Sequence, residues 1–227
     1  NLIGLVAATV SLLLVVQILA GERAYERWLP HGERIALVST VIGSPGQEPQ
    51  ILGMAPVPLA AQLANGLAGI EAAGRIAERE VDLIVEGVGQ RVDASLADPA
   101  MAEILALPVA AGSLQAALGS PRSLVLGADL AASVFGSAGE AMGKTVQVRI
   151  AGVVRPYTVA AVLEPLAGPT HLQLDMMVPA TSVPDLAADG LQDWLNVTVR
   201  TYLLLDGSVA ASALGQQIDE VIQPAFE

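Results

Sequence analysis

The chain has 227 residues, of which 53% are hydrophobic and 15% charged, so it can bury a core and is neither disordered nor of low complexity. Eleven basic residues against 23 acidic ones give a formal net charge of −12, which argues against nucleic acid as a partner because a phosphate backbone would be repelled. The absence of cysteine excludes disulfides, thiolate metal ligands and cysteine nucleophiles.

The first residues predict a membrane span. Leu2–Ala20 contains 19 residues without a charge. A helix of that length, at about 1.5 Å per residue, reaches roughly 28 Å, close to the hydrocarbon thickness of a bilayer. No basic residue precedes the run and no small-x-small cleavage site follows it, unlike a signal peptide. We therefore expect a transmembrane helix and stalk over residues 1–30 and, since Asn1 is not preceded by Met, a fragment of a longer protein.

Two aromatic residues, Tyr25 and Trp28, lie three positions apart just after this span, and Pro30 ends the helical pattern. Two interpretations remain open. The pair anchors the chain at the membrane interface, where aromatic rings are enriched, or it packs as a plug against the soluble domain. Tyr25 and Trp28 are the candidate membrane-interface residues of the chain.

The next segments predict a strand, a helix and a second strand. Glu33–Val41 is rich in apolar and β-branched residues, as strands are. Pro58–Ala73 places its larger apolar residues on one helical face, with proline near the first turn. Ile76–Val88 contains an imperfect alternation typical of a strand. Together they predict a β-α-β unit.

The middle of the chain, from Val92 to Ser182, is rich in glycine and proline and predicts short strands between turns. The predicted strands are Ser123–Gly127, Lys144–Ile150 and Tyr157–Leu163. A short helix is predicted over Ala128–Phe135, ending at Gly136. A long strand over Trp194–Leu205 and a helix over Ser208–Ile222 complete the chain.

No motif predicts chemistry. Gly143-Lys144-Thr145 resembles the end of a phosphate-binding loop, but Ala138 stands where the first glycine is required and a predicted strand follows, so a tight turn is the better interpretation. His31 and His171 are the only imidazoles and lack zinc-site spacing. No G-x-S-x-G sequence is present. The residues therefore predict no catalytic, cofactor-binding or metal site and no cofactor.

Particular residues, in order along the chain, resemble ABC transporter permeases of the MacB/FtsX-like class. In the first part, Asn1–Leu5 is similar to the opening of the family's first transmembrane helix. The end of that helix is matched by Glu22, Tyr25, Trp28 and Pro30. Arg34-Ile35 is similar to the start of the first periplasmic strand. Those in the remainder are Leu107-Pro108, Gly112, Ala117-Leu118, Phe135-Gly136, Gly143-Lys144, His171-Leu172, Trp194 and Thr201-Tyr202. The chain departs from the family pattern at Ala36, Ile104, Ser113 and Thr170.

The resemblance implies an α+β fold with an N-terminal transmembrane helix and a periplasmic part in two subdomains. A porter-like α/β subdomain would combine residues 31–90 with 192–227. A strand-rich Sabre-like subdomain would be inserted over residues 91–191. The chain would then lie in the bacterial inner membrane with its soluble domain in the periplasm.

The implied function is that of a non-catalytic permease subunit, which couples ATP hydrolysis by a cytoplasmic ABC ATPase to movement that exports or extracts a substrate. The implied partners are that ATPase, a second permease copy (identical or a paralogue), a periplasmic adaptor protein and the lipid bilayer. The substrate and the residues that bind it are not indicated. Two alternatives stay open: a membrane-anchored periplasmic sensor or ligand-binding domain, and an anchored enzyme that gathers His31 or His171 with carboxylates.

Overall fold

A computed structural model describes residues 28–43, 46, 48–187, 192–209 and 211–223. The predicted membrane span and Tyr25 lie outside these residues. None of the helices within the described part is long and apolar enough to cross a membrane.

The described residues form a mixed α/β fold, with strands and helices interleaved along the chain. The strands are β1 (Ile35–Val38), β2 (Thr40–Ile42), β3 (Gln50–Leu52), β4 (Ala55–Pro56), β5 (Ile70–Val85), β6 (Val88–Ala97), β7 (Val109–Gly112), β8 (Ser123–Leu126), β9 (Thr145–Ile150), β10 (Val153–Leu163), β11 (Met176–Pro179) and β12 (Val197–Leu205). The helices are α1 (Leu59–Gly66), α2 (Met101–Leu105), α3 (Leu114–Gly119), α4 (Ala128–Phe135), α5 (Ala138–Ala141) and α6 (Ala211–Ile222), with 3₁₀ turns at Gly32–Arg34 and Ala180–Ser182.

The predicted β-α-β unit is present in a split form. β1 and β5 both pair antiparallel with β12, which lies between them, so β1 and β5 are parallel to each other and α1 connects them. The predicted helix is too long, however. It ends at Gly66, and Gly69 has φ +92°, a backbone conformation that glycine tolerates and that turns the chain into β5. The residues from Ile70 onward, predicted as helix, belong to this strand.

β5 is long enough to belong to two parts of the main sheet. Its first half pairs with β12 and its second half pairs with β9, while β6 pairs along its other edge. The order β5, β6, β11, β8, β10, β9 then returns to β5, so six strands form a closed ring. β9 shows the alternation that a closed sheet requires, because Val146, Val148 and Ile150 are buried inside the ring.

Two further apolar cores flank the ring. One packs Leu29, α2 and α3 against strands β5, β8 and β10. The other lies between α1, α6 and the β4, β5 and β12 side of the sheet. The division into a porter-like part (31–90 and 192–227) and an inserted part (91–191) stays a prediction, because β5 runs without a break from the first sheet region into the ring.

The turn between β12 and α6 is held by a local hydrogen bond. The backbone N–H of Ser208 donates to Asp206 Oδ1 at 2.7 Å. The Ser208 side chain and then this backbone bond lower the pKa of Asp206 below its ordinary value. Because the folded pKa is depressed, the stabilisation exists above the unfolded pKa and is lost as the pH falls through the folded pKa.

We expect Ser208→Ala to raise the pKa of Asp206 toward that of an ordinary aspartate, because the largest contribution to the shift is removed while the backbone bond stays. The chemical shift of the Asp206 side-chain carbon, followed by NMR against pH, measures this pKa. An unchanged titration midpoint in Ser208→Ala would show that the hydroxyl does not stabilise the carboxylate.

Candidate functional site

The described chain begins at a tight contact between Trp28 and the loop that follows β10. The indole Nε1 of Trp28 donates to the carbonyl oxygen of Pro169 at 2.9 Å. The ring lies directly on Gly168, where an added Cβ would fall 2.6 Å from Trp28 Cδ1. The next residue, Leu29, is 4% exposed and belongs to the core around α2 and α3. Trp28 and Leu29 are therefore fastened to the folded domain.

The loop that receives Trp28 is itself anchored. Leu172 and Leu174 are buried in the same core as Leu29. The backbone N–H of Leu172 donates to Thr170 Oγ1 at 3.0 Å. The hydroxyl of Ser95, on β6, donates to the carbonyl of Gln173 at 2.6 Å. The loop thus links Trp28 to the ring of strands.

A buried ion pair lies where β5 passes from β12 into the ring. Arg75 binds Asp98 with two charge-assisted bonds, Nε to Oδ2 at 2.7 Å and Nη2 to Oδ1 at 2.8 Å. Its remaining donors reach the carbonyls of Val57 at 3.1 Å and Leu186 at 3.3 Å. The side chain of Arg75 is 8% exposed. One guanidinium therefore joins the segment before α1, the end of β6 and the segment that returns from β11.

The structure places the sequence motifs that were considered for chemistry in a turn, at a 3₁₀ turn and in a groove. Gly143 has φ +74° and precedes β9, so the resemblance to a phosphate-binding loop is a turn before a strand, as interpreted from sequence. The backbone carbonyl of His31 accepts a hydrogen bond from the N–H of Ile35 at the 3₁₀ turn. His171 lines a groove of about 380 Å³ that also contains Arg200 and Tyr202. Within the described ranges, no three His, Asp or Glu side chains form a cluster suited to a metal ion.

Trp28 is thus placed against the folded domain, while Tyr25 lies outside the described residues. The membrane-interface role of both residues stays a prediction. The partly buried ring of Trp28 shows only which loop that residue contacts.

Comparison with known families identifies this arrangement. A family model described as the MacB-like periplasmic core domain matches residues 1–221. The chain belongs to this family. This MacB-like chain accordingly carries the extracytoplasmic core domain of an ABC-type transporter permease, a class whose members are generally non-catalytic. No curated protein matches the chain with significance.

Solved structures show the same fold. A domain assigned to a permease protein of Porphyromonas gingivalis is 23% identical, with a TM-score of 0.72 over 88% of this chain and 85% of that chain. The periplasmic region of MacB from Actinobacillus actinomycetemcomitans is 14% identical, with a TM-score of 0.53 over 76% of this chain and 75% of that one. At these identities the likeness shows the fold of the MacB-like domain and not its cargo.

Sequence reasoning missed the Arg75–Asp98 pair. The predicted strand began at Ile76, one residue too late to include the arginine. The available signal was a charged residue inside an otherwise apolar run, which needs a partner when it is buried. The partner, 23 residues away, is identified only by the pairing of β5 with β6.

Proposed function

We propose that this domain is the extracytoplasmic part of a permease in the bacterial inner membrane, which couples ATP hydrolysis by a cytoplasmic ABC ATPase to mechanical movement. That movement would export or extract a substrate. Membership of the MacB-like family supports the proposal. The observation that carries it is the attachment of the segment after the predicted span, through Trp28 and Leu29, to the core of the domain.

The attachment suits mechanical transmission because both of its sides are rigid. Trp28 lies on a glycine with no room for a side chain, and Leu29 is enclosed by close-packed apolar residues. The receiving loop is hydrogen-bonded to Ser95 on β6, one of the strands of the closed ring. A displacement of the stalk would therefore move the domain as a body instead of being absorbed by a loose linker.

The proposed partners are a cytoplasmic ABC ATPase, a second permease copy and the lipid bilayer, with a periplasmic adaptor protein as a further one. The ATP-hydrolysing residues would belong to the ATPase and not to this chain. Trp28 and Tyr25 are proposed to lie at the membrane-facing end of the domain.

Trp28→Ala is expected to reduce ATP-driven movement of the domain, because it removes a hydrogen bond and the ring that packs on Gly168. Losses of this kind cost about 1–3 kcal/mol, which changes the population of the attached state by about 5- to 150-fold. The full-length permease, reconstituted with its ATPase in lipid, would carry a spin label on Val88→Cys in each copy. The ATP-dependent change in the distance between labels is the measurement.

Trp28→Phe retains the ring and loses only the donor, so we expect an intermediate effect. Leu195→Ala, at a side chain that is 83% exposed, serves as the control and should leave the change in distance intact. ATP turnover measured in parallel shows whether the ATPase itself is affected. A Trp28→Ala permease that moves as fully as the wild type would contradict the role of the junction. A wild-type protein that does not respond to ATP would contradict the permease proposal and favour a sensor.

A further inference from the structure

Three cationic side chains have no carboxylate partner, although the chain is strongly acidic. Within the described ranges, six arginines form ion pairs with carboxylates, and even Arg91, whose side chain is 69% exposed, pairs with Glu80. The remaining lysine and arginine side chains of those ranges form neither an ion pair nor a side-chain hydrogen bond. They are Arg122, Lys144 and Arg155, and all three are exposed.

Strand pairing brings these three residues to one part of the ring. Arg122 directly precedes β8 and Lys144 directly precedes β9, and the two strands flank β10 on opposite sides. The N–H of Thr158 donates to the carbonyl of Arg122 and the N–H of Val159 to that of Lys144, both at 2.9 Å. Arg155 lies on β10 itself, three residues before Thr158. We call Arg122, Lys144 and Arg155 the basic patch.

The basic patch is spread along the surface instead of being concentrated at one point. Neighbouring strands lie about 4.8 Å apart, so the backbones of Arg122 and Lys144, on either side of β10, are about 10 Å apart. Arg155 lies about 10 Å along the strand from Thr158, at about 3.3 Å per residue. An extended partner with several negative groups therefore matches the patch better than a single small ion.

No acidic residue interrupts the basic patch along β9 and β10. Residues 141–163 contain Lys144, Arg149 and Arg155 and no aspartate or glutamate. Glu140, the acidic residue nearest to Lys144 in sequence, accepts a hydrogen bond from Ser137 Oγ at 3.2 Å instead. The patch is thus a local positive charge on a chain whose formal net charge is −12. Such an area attracts an anionic surface, which the rest of the molecule would repel.

The position of the basic patch favours a protein over a lipid surface. β10 runs from Arg155 to Leu163, and the loop after it reaches the contact of Trp28 with Gly168 and Pro169. At about 3.3 Å per residue, Arg155 lies roughly 26 Å along the strand from Leu163. In the proposed permease the bilayer lies beyond Trp28, so the patch is at the part of β10 remote from lipid headgroups.

We infer that the basic patch docks an acidic segment of an extracytoplasmic partner protein. Carboxylates suit it because arginine binds them with two parallel, charge-assisted hydrogen bonds, and each cation of the patch has its full donor set available. The inference states the chemistry by which a periplasmic adaptor would be recognised, and in that respect it rests on the proposed function.

Binding of a deca-glutamate peptide tests the inference directly. The full chain, in an uncharged detergent, would be titrated into the fluorescein-labelled peptide, and fluorescence anisotropy gives the Kd. We expect saturable binding that weakens as sodium chloride is added, because salt screens interactions between exposed charges. A serine-glycine peptide of the same length should not bind.

Charge removal identifies the residues responsible. Arg122→Gln, Lys144→Gln and Arg155→Gln should each raise the Kd by up to about fivefold, as expected for exposed ion pairs, and the triple variant by at least about tenfold. Arg91→Gln is the matched control, since it removes the same charge from an exposed side chain outside the patch and should leave the Kd unchanged. Circular dichroism confirms that the variants fold.

Absence of peptide binding at low ionic strength overturns the inference, and so does binding that the triple variant retains. Tighter binding to phosphatidylglycerol vesicles or to inorganic phosphate than to the peptide, if lost in the triple variant, assigns the patch to phosphate groups and also overturns it. None of these assays contains ATP or an ATPase. Peptide binding by a chain whose full-length permease ignores ATP refutes only the proposed function, whereas ATP-driven movement without peptide binding refutes only this docking site.

Discussion

Replacing Arg75 with leucine is expected to lower the free energy of unfolding by about 3–5 kcal/mol, the cost of leaving one partner of a buried ion pair without the other. Asp98, whose side chain is 18% exposed, would be left with one backbone donor, the N–H of residue 75. The carbonyls of Val57 and Leu186 would lose the donors that now reach them. Urea unfolding of the full chain, followed by circular dichroism, measures the loss.

Arg149→Leu is the matched control for that experiment. Arg149 contacts Asp82 at 2.6 Å, as closely as Arg75 contacts Asp98, but the two side chains are 47% and 29% exposed. Solvent-exposed pairs contribute only about 0–1 kcal/mol. The double variant Arg75→Met with Asp98→Leu should recover much of the stability, since no uncompensated charge remains. Equal losses for Arg75→Leu and Arg149→Leu would contradict the view that burial makes the difference.

Gly112→Ala is expected to destabilise the chain by about 3 kcal/mol or more, because two separate effects add. Gly112 has φ +82°, which strains any residue with a Cβ. That Cβ would also fall 2.1 Å from the carbonyl oxygen of Ala160, on the strand paired with β7. Because the clashing atom belongs to the backbone, the clash can be relieved only if β7 and β10 move apart. The midpoint of thermal unfolding reports the change.

Gly152→Ala separates the two effects. Gly152 has φ +80°, nearly the same as Gly112, but nothing lies within 4 Å of an added Cβ. Gly152→Ala therefore incurs only the strain of a positive φ, which costs about 1–2 kcal/mol. If both substitutions lower the midpoint equally, the close approach of Ala160 is not what requires glycine at position 112.

These predictions show how unevenly local sequence specifies the fold. The helix over Ala128–Phe135 and its end at Gly136 are confirmed, since glycine at φ +89° is a local termination signal. The helix after Pro58 was predicted to run to Ala73, yet Ile70–Ala73 joined β5. The apolar spacing there fits one face of a helix, but pairing with β12 overrides it, because sheet contacts are made with residues more than 100 positions away.

The ring of strands illustrates the same limit. Its strands at Ser123, Thr145 and Tyr157 were predicted one by one from β-branched residues bounded by turns. Their closure depends on β9 meeting both β5 and β10, and no local pattern encodes which strands pair. The resemblance to MacB-like permeases indicated a strand-rich part without stating how it closes.

The sequence by itself determined the class of the molecule: an acidic, cysteine-free chain with an apolar N-terminal run, no chemical motif, and family residues such as Gly112 and Trp28 in order. Composition and local spacing carry that information because they depend only on neighbouring residues. The tertiary structure alone decided that Arg75 meets Asp98 and that Trp28 rests on Gly168. Each of these depends on strand pairing or close approach between distant segments, where burial converts an ordinary residue into a constrained one.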